Sequence, residues 1–213
     1  MNIGSYIAKY NATDYNVVAE GSIVINKVKS TVTSQAVSTV YNKGNYLVIT
    51  LKDSKGKAIS GAPVTVTLDS AKTYKTDNNG QIKINIAKLA PKTYTSKISF
   101  AGNANYLASS TTAKVLVKKA TPKMTAKKKT FKKSTKTKKY ALVLKDNTGK
   151  AIKKAKVTLK VKGKTYKAKT NSKGKATFKI TKLKKKGTFK AVIKFAGNKY
   201  YNKLTKKVKI KVR

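Results

Sequence analysis

Two stretches decide the fold, FAGNANY at 100–106 and FAGNKYY at 195–201, and they stand 95 residues apart. Two further pairs follow the same plan. ITLKDSKGKAI at 49–59 returns as LVLKDNTGKAI at 142–152, and KTDNNGQIKINI at 75–86 returns as KTNSKGKATFKI at 169–180, at offsets of 93 and 94. Three blocks in one order at a near-constant offset define two copies of one unit. The copies run over 28–119 and 120–213. Their junction, VKKATPKM at 117–124, carries Pro122, which cannot donate a ladder hydrogen bond and suits a boundary. The start of the chain repeats the end of a unit: GSYIAKYNATDYN resembles GTFKAVIKFAGNKYYN, and GSIVINK resembles AKVLVKK at 113–119. Residues 1–27 therefore read as the C-terminal strands of a truncated preceding repeat, and the chain as part of a longer array.

Each unit reads as strands. Apolar and polar residues alternate in VTVTL (64–68), VTLKV (157–161), FKAVIKF (189–195) and VKIKV (208–212). Turns rich in Gly, Asn and Asp separate these runs. The lysine-rich stretch 127–139 has too few apolar residues for an amphipathic helix. The expectation is an all-β chain: two tandem Ig-like β-sandwich domains of about seven strands each, preceded by a partial repeat. The disulfide and core tryptophan of antibody domains are absent from the sequence.

Composition removes whole classes of chemistry. The chain has no cysteine and no histidine, so it has no disulfide framework, thiolate site or imidazole base. Six acids spread over 213 residues give no carboxylate pair and no oxygen cluster for a hard cation. The residues call for no cofactor, no metal and no catalytic group. No stretch is apolar for the length that spans a bilayer. Asn11-Ala12-Thr13 matches the N-glycosylation sequon, a triplet common by chance.

The repeated phrases have turn chemistry. Gly102 and Gly197 suit a backbone shape that a side chain forbids, and Asn103 and Asn198 suit the same turn. Tyr106 and Tyr201 then start the last strand and pack back over the corner. Asp53 and Asp146 occupy matched turn positions, where a carboxylate bonds nearby backbone amides. A Lys–Asn isopeptide bond needs a buried carboxylate; Asp146, the only acid of the second unit, falls in a turn rather than a core strand.

The order L-K-D-x-x-G-K-A-I, then K-T-[DN]-x-x-G, then F-A-G-N-x-x-Y resembles the Ig-like repeats of microbial surface adhesin-like proteins. It is most similar to those of methanogenic archaea, and more distantly to invasin- and intimin-type stalk repeats. The resemblance implies an extracellular, non-enzymatic stalk at the cell surface or cell wall.

The charge is lopsided. There are 51 basic residues against 6 acidic ones, net +45, and Arg213 is the only arginine. Residues 1–120 hold 16 lysines and 5 acids; residues 121–213 hold 34 lysines, one arginine and one acid. Lysine is a hydrated point charge, suited to diffuse attraction rather than fitted readout. A solvated surface that blocks sheet-to-sheet pairing is one explanation. The other is adhesion of the second unit to an anionic cell-envelope polymer, or to a host or partner cell surface. The candidates are Lys127, Lys128, Lys129, Lys132 and Lys133 in the first strand region, and Lys182, Lys184, Lys185 and Lys186 in a loop. A non-specific nucleic-acid binder is an alternative. It lacks an exposed stacking row of aromatics and the arginines of specific readout. A passive spacer with its adhesive part upstream is a third reading.

Overall fold

The computed structural model describes residues 4–12 and 17–213. Thr13 of the sequon, and residues 1–3 and 13–16 of the first stretch, lie outside the described residues. The described residues form strands and turns without a helix. β1 (Gly4–Ala12) and β2 (Val17–Ile25) pair antiparallel from Gly4 against Ile25 to Ala12 against Val17. Eight strands follow: β3 (Ser30–Ser34), β4 (Val37–Val40), β5 (Tyr46–Asp53), β6 (Pro63–Thr67), β7 (Ala71–Lys75), β8 (Gln81–Asn85), β9 (Thr93–Phe100) and β10 (Ser109–Lys118). Eight more repeat the plan: β11 (Lys123–Thr125), β12 (Lys129–Phe131), β13 (Lys138–Lys145), β14 (Lys156–Val161), β15 (Lys164–Lys169), β16 (Lys175–Ile180), β17 (Gly187–Phe195) and β18 (Leu204–Val212).

The two sets have the same topology. A three-stranded sheet β3-β5-β8 accompanies a five-stranded sheet β4-β10-β9-β6-β7. Likewise β11-β13-β16 accompanies β12-β18-β17-β14-β15. The chain is thus two tandem Ig-like sandwiches after a hairpin. Each has eight strand segments rather than about seven because its first strand breaks and changes sheet. β3 pairs with β5, while β4 belongs to the other sheet, after Gln35 and Ala36. β11 pairs with β13, while β12 runs parallel to β18, after residues 126–128.

The chain divides into two compact units, Met1–Ser38 with Asn45–Ile86 and Thr93–Leu116, and Thr39–Gly44 with Ala87–Lys92 and Val117–Arg213. In the first, Leu47, Ile49 and Leu51 of β5 face Val64, Val66, Ile98 and Phe100 of the opposing sheet, all buried. In the second, Leu142 and Leu144 of β13 and Phe178 of β16 share a core with Leu159, Ile193, Phe195, Ile210 and Val212. Each large apolar side chain buried this way contributes about 1.5–3 kcal/mol. A buried threonine ties each core to its loops. Thr76 Oγ1 donates to the Ile59 carbonyl and accepts from the Ala62 N–H. Thr170 Oγ1 does the same with Ile152 and Ala155.

Ser96, on the core face of β9, is fully buried and its Oγ has no hydrogen-bond partner. At the matching position of the second unit, 95 residues on, stands Ala191. An unpaired buried hydroxyl costs about 1–3 kcal/mol. Ser96→Ala is therefore expected to stabilise the protein by about 1 kcal/mol in urea unfolding; a loss of stability would show that the hydroxyl is satisfied.

Candidate functional site

The corner phrases fold alike. Gly102 and Gly197 both lie at φ 83°. A Cβ on Gly197 would sit 2.8 Å from the Tyr201 carbonyl oxygen and 2.9 Å from the Lys203 nitrogen, and a Cβ on Gly102 would sit 2.8 Å from the Tyr106 carbonyl oxygen. Asn103 Oδ1 accepts from the N–H groups of Asn105 and Tyr106, and Asn198 Oδ1 from those of Tyr200 and Tyr201, all at 2.9 Å. Tyr106 and Tyr201 also bridge to the segments that open their units, at Val28 and Ala120. Gly149 has the same backbone hand at φ 87° but open space around its Cβ position. Gly197→Ala should cost about 3 kcal/mol and Gly149→Ala about 1 kcal/mol, since only the first adds a clash to the strain; equal losses in urea unfolding would contradict this.

The two aspartates diverge. Asp53 Oδ1 accepts from the N–H groups of Lys55 and Lys57, and its side chain is half-buried. Asp146 Oδ1 accepts from the N–H groups of Thr148 and Lys150 and from the Thr148 hydroxyl, but the residue is only 4% exposed. Its turn position gave no sign of that burial. The loop Thr39–Gly44 of the second compact unit covers it. Asn42 Nδ2 donates to Asp146 Oδ2 at 3.1 Å and to the Tyr201 hydroxyl at 3.3 Å. Tyr41 stacks on Tyr200, with ring centroids 4.8 Å apart, and meets Tyr201 edge-on. Asn147 Nδ2 donates to the Tyr41 carbonyl.

Burial pushes the Asp146 carboxyl up, but hydrogen bonds from the Thr148 side chain and the Lys150 and Thr148 backbone outweigh it and hold the group below its ordinary value. Burial, the Asp146 charge and Tyr41 push the Tyr201 phenol up to about 12. The signs follow. Asp146 contributes stability that is complete above the ordinary carboxylate range and is lost as pH falls through its lowered native value. Tyr201 binds its proton more tightly when folded, so its contribution is complete below about 10, the ordinary phenol value, and is lost between there and about 12. Asp146→Ala is expected to cost about 2 kcal/mol at neutral pH by orphaning its donors. It should also flatten the acid limb of the stability profile; an unchanged acid limb would contradict the assignment.

The charged surface is ordered by register. On the outer face of the five-stranded sheet of the second unit, Lys167, Thr158, Lys194 and Thr205 form one cross-strand row. The next row is Thr165, Lys160, Val192 and Lys207. Lysine and threonine alternate, which keeps most like charges off direct opposition. Two pairs escape the pattern: Lys156 stands opposite Lys169, and Lys190 opposite Lys209. All these lysines are exposed. Opposed Cβ atoms lie about 4.5–5.5 Å apart, where like charges repel. The matching face of the first unit is mainly hydroxyl, with the rows Thr73, Thr65, Ser99, Ser110 and Ala71, Thr67, Lys97, Thr112.

The lysines picked out from runs in the sequence fall in two places. Lys127 and Lys128 lie in the crossing between β11 and β12; Lys129 begins β12, its Nζ 5.1 Å from the Phe131 ring centroid. Lys132 and Lys133 follow β12, and the Lys133 N–H donates to the Arg213 carbonyl. Lys182, Lys184, Lys185 and Lys186 surround the buried Leu183 in the loop before β17. Phe131 and Gly187 both pair with Val212, so the runs 132–133 and 184–186 flank the same strand end. The i, i+2 spacing in the sequence already marks Lys156, Lys160, Lys190, Lys194, Lys209 and Lys211 as outward, but the candidate set took only the runs and left this sheet face out. The sequence reading missed Lys138, which is 2% exposed and donates from Nζ to the Thr135 carbonyl at 2.7 Å. Among the described residues no group of three or more Asp, Glu, His or Cys side chains could hold a metal ion. No helix of the described residues is long and apolar enough to cross a membrane.

No protein-family model and no curated protein matches this chain. Solved structures do. The chain is similar to invasin, a bacterial integrin-binding protein, with a TM-score of 0.52 at 16% identity over 86% of this chain and 39% of that one. It is also similar to the titin domains Z1Z2 in complex with telethonin (TM-score 0.46, 13% identity, 86% of this chain and 96% of that one). A third is a 1.5-MDa bacterial ice-binding adhesin (TM-score 0.38, 14% identity, 92% of this chain and 70% of that one). The invasin likeness shows the fold, tandem Ig-like sandwiches; the chain spans 39% of that protein's length.

Proposed function

We propose that this chain is a non-enzymatic, adhesin-like surface module whose second unit holds an anionic envelope polymer by electrostatic attraction. The observation that carries this reading is the contrast between two equivalent sheet faces. One scaffold presents hydroxyls in the first unit and a lysine array in the second. Solubility would ask the same of both faces. Opposed pairs such as Lys190 and Lys209 destabilise the free protein, and a bound polyanion relieves that repulsion. The lysines around Arg213 extend the basic surface at one end. Residues 28–119 and 120–213 are read as the two repeats, and residues 1–27 as a closing hairpin of the same kind. The nine-pair register of β1 with β2 supports that, since it equals that of β17 with β18.

The test uses the full chain and two variants that each lose four charges. One carries Lys156→Gln, Lys169→Gln, Lys190→Gln and Lys209→Gln; the other carries Lys72→Gln, Lys75→Gln, Lys83→Gln and Lys114→Gln in the first unit. At about 0.15 M salt, affinity for polygalacturonate or polyphosphate should fall by about tenfold in the first variant and by less than about twofold in the second. Equal losses, with duplex DNA held as tightly as either polymer, would mean that the charge is generic and the chain a spacer.

A further inference from the structure

The geometry points to a carboxylated polysaccharide as the polymer, with one acidic sugar ring seated in a groove on the lysine face; this rests on the polyanion reading above. The groove is open, about 550 Å³, and lies over β17 and β18 beside the crossing between β11 and β12. Lys128, Lys190, Lys207 and Lys209 surround it, and its apolar lining is Val192 and Val208 with the buried Ala126 and Ala191 behind them. Lys207 stands directly opposite Val192, and Lys190 opposite Lys209. Lys129 pairs with Ile210, which places Lys128 one step earlier along the same edge.

Val192 is the feature that calls for explanation. At every other outward position of β14, β15, β17 and β18 stands lysine or threonine. The matching residue in the first unit, 95 positions earlier, is Lys97. So the second unit gains lysines around this point and gives one up at its centre. The occupant that fits has an apolar face about one ring across and carries negative charge at its edge. A uronic acid residue has both: the C–H face of the pyranose lies on Val192, and its carboxylate meets the lysine ammonium groups. Lysines about 5 Å apart across strands and about 7 Å apart along them let successive carboxylates find partners. A polyphosphate chain has no apolar face to spend on the floor. Nucleic-acid bases want an aromatic platform, and the groove has none.

The test measures full-chain binding at about 0.15 M salt to three probes: oligogalacturonate, its neutral methyl ester, and polyphosphate of matched charge. Val192→Lys restores the residue type of the first unit and raises the positive charge. It should nevertheless weaken oligogalacturonate binding by about fivefold or more while leaving polyphosphate equal or tighter. Val192→Ser, which removes the floor at constant charge, should weaken oligogalacturonate alone. Lys173→Gln with Lys179→Gln, in the turn before β16 and on β16 of the other sheet, should change neither by more than about twofold. If Val192→Lys tightens both probes alike, or Val192→Ser changes neither, the groove is not a sugar site. If anionic vesicles compete better than oligogalacturonate, the occupant is a lipid surface and the inference is overturned. Polyphosphate binding without oligogalacturonate binding sinks this inference and leaves the proposed function standing; binding to neither sinks both.

Discussion

A β-strand sends alternate side chains to opposite faces, and everything distinctive about this protein depends on that constraint. One face of each strand must meet the opposing sheet, so its residues stay apolar: Ala191, Ile193 and Phe195 on β17, Ile210 and Val212 on β18. The other face is under no packing demand. The second unit has filled it with lysine while keeping the core composition of its neighbour in sequence. Charge density on this scale is compatible with a fold only because the two faces are independent in sequence and separated by the thickness of a sheet.

The same constraint turns a scattered composition into a surface. Lysines at i and i+2 on one strand meet those of the next strand at a spacing set by backbone hydrogen bonds, not by side-chain choice. The result is a lattice of point charges with hydroxyls between them. Arginine would offer forked recognition of a single anionic group; lysine offers many equivalent, hydrated contacts. Under the proposed function, accumulated charge is what holds the polymer, and selectivity arises where the lattice is broken. Val192 is that break.

Much of the fold was legible because turn chemistry is local. FAGN with its tyrosine, the Asp turns and the alternating runs each carry their instructions within a few residues, and they appear twice. The split of the first strand was not legible. Nothing in 126–128 or at Gln35 and Ala36 signals a change of sheet, which is decided by tertiary pairing. The covering of Asp146 was equally hidden, because Asn42 reaches it, and Tyr41 its neighbour Asn147, from more than a hundred residues away. Lys138 shows the limit of pattern reading from the other side: it has the composition of a surface residue and the burial of a core one. At the candidate site, sequence adjacency singled out runs such as 184–186. Register instead places Lys190 beside Lys209 and Lys156 beside Lys169, neighbours that no run of sequence contains.

The most direct measurement is a nuclear magnetic resonance titration of the isotopically labelled full chain with a short acidic oligosaccharide at about 0.15 M salt. The account predicts shifts concentrated at alternate positions of β17 and β18, at Lys190, Val192, Lys194, Lys207 and Lys209, with the hydroxyl face of β9 and β10 unmoved. Shifts spread evenly over the lysines of both units would contradict it, and would leave the lysine array as surface charge without a site.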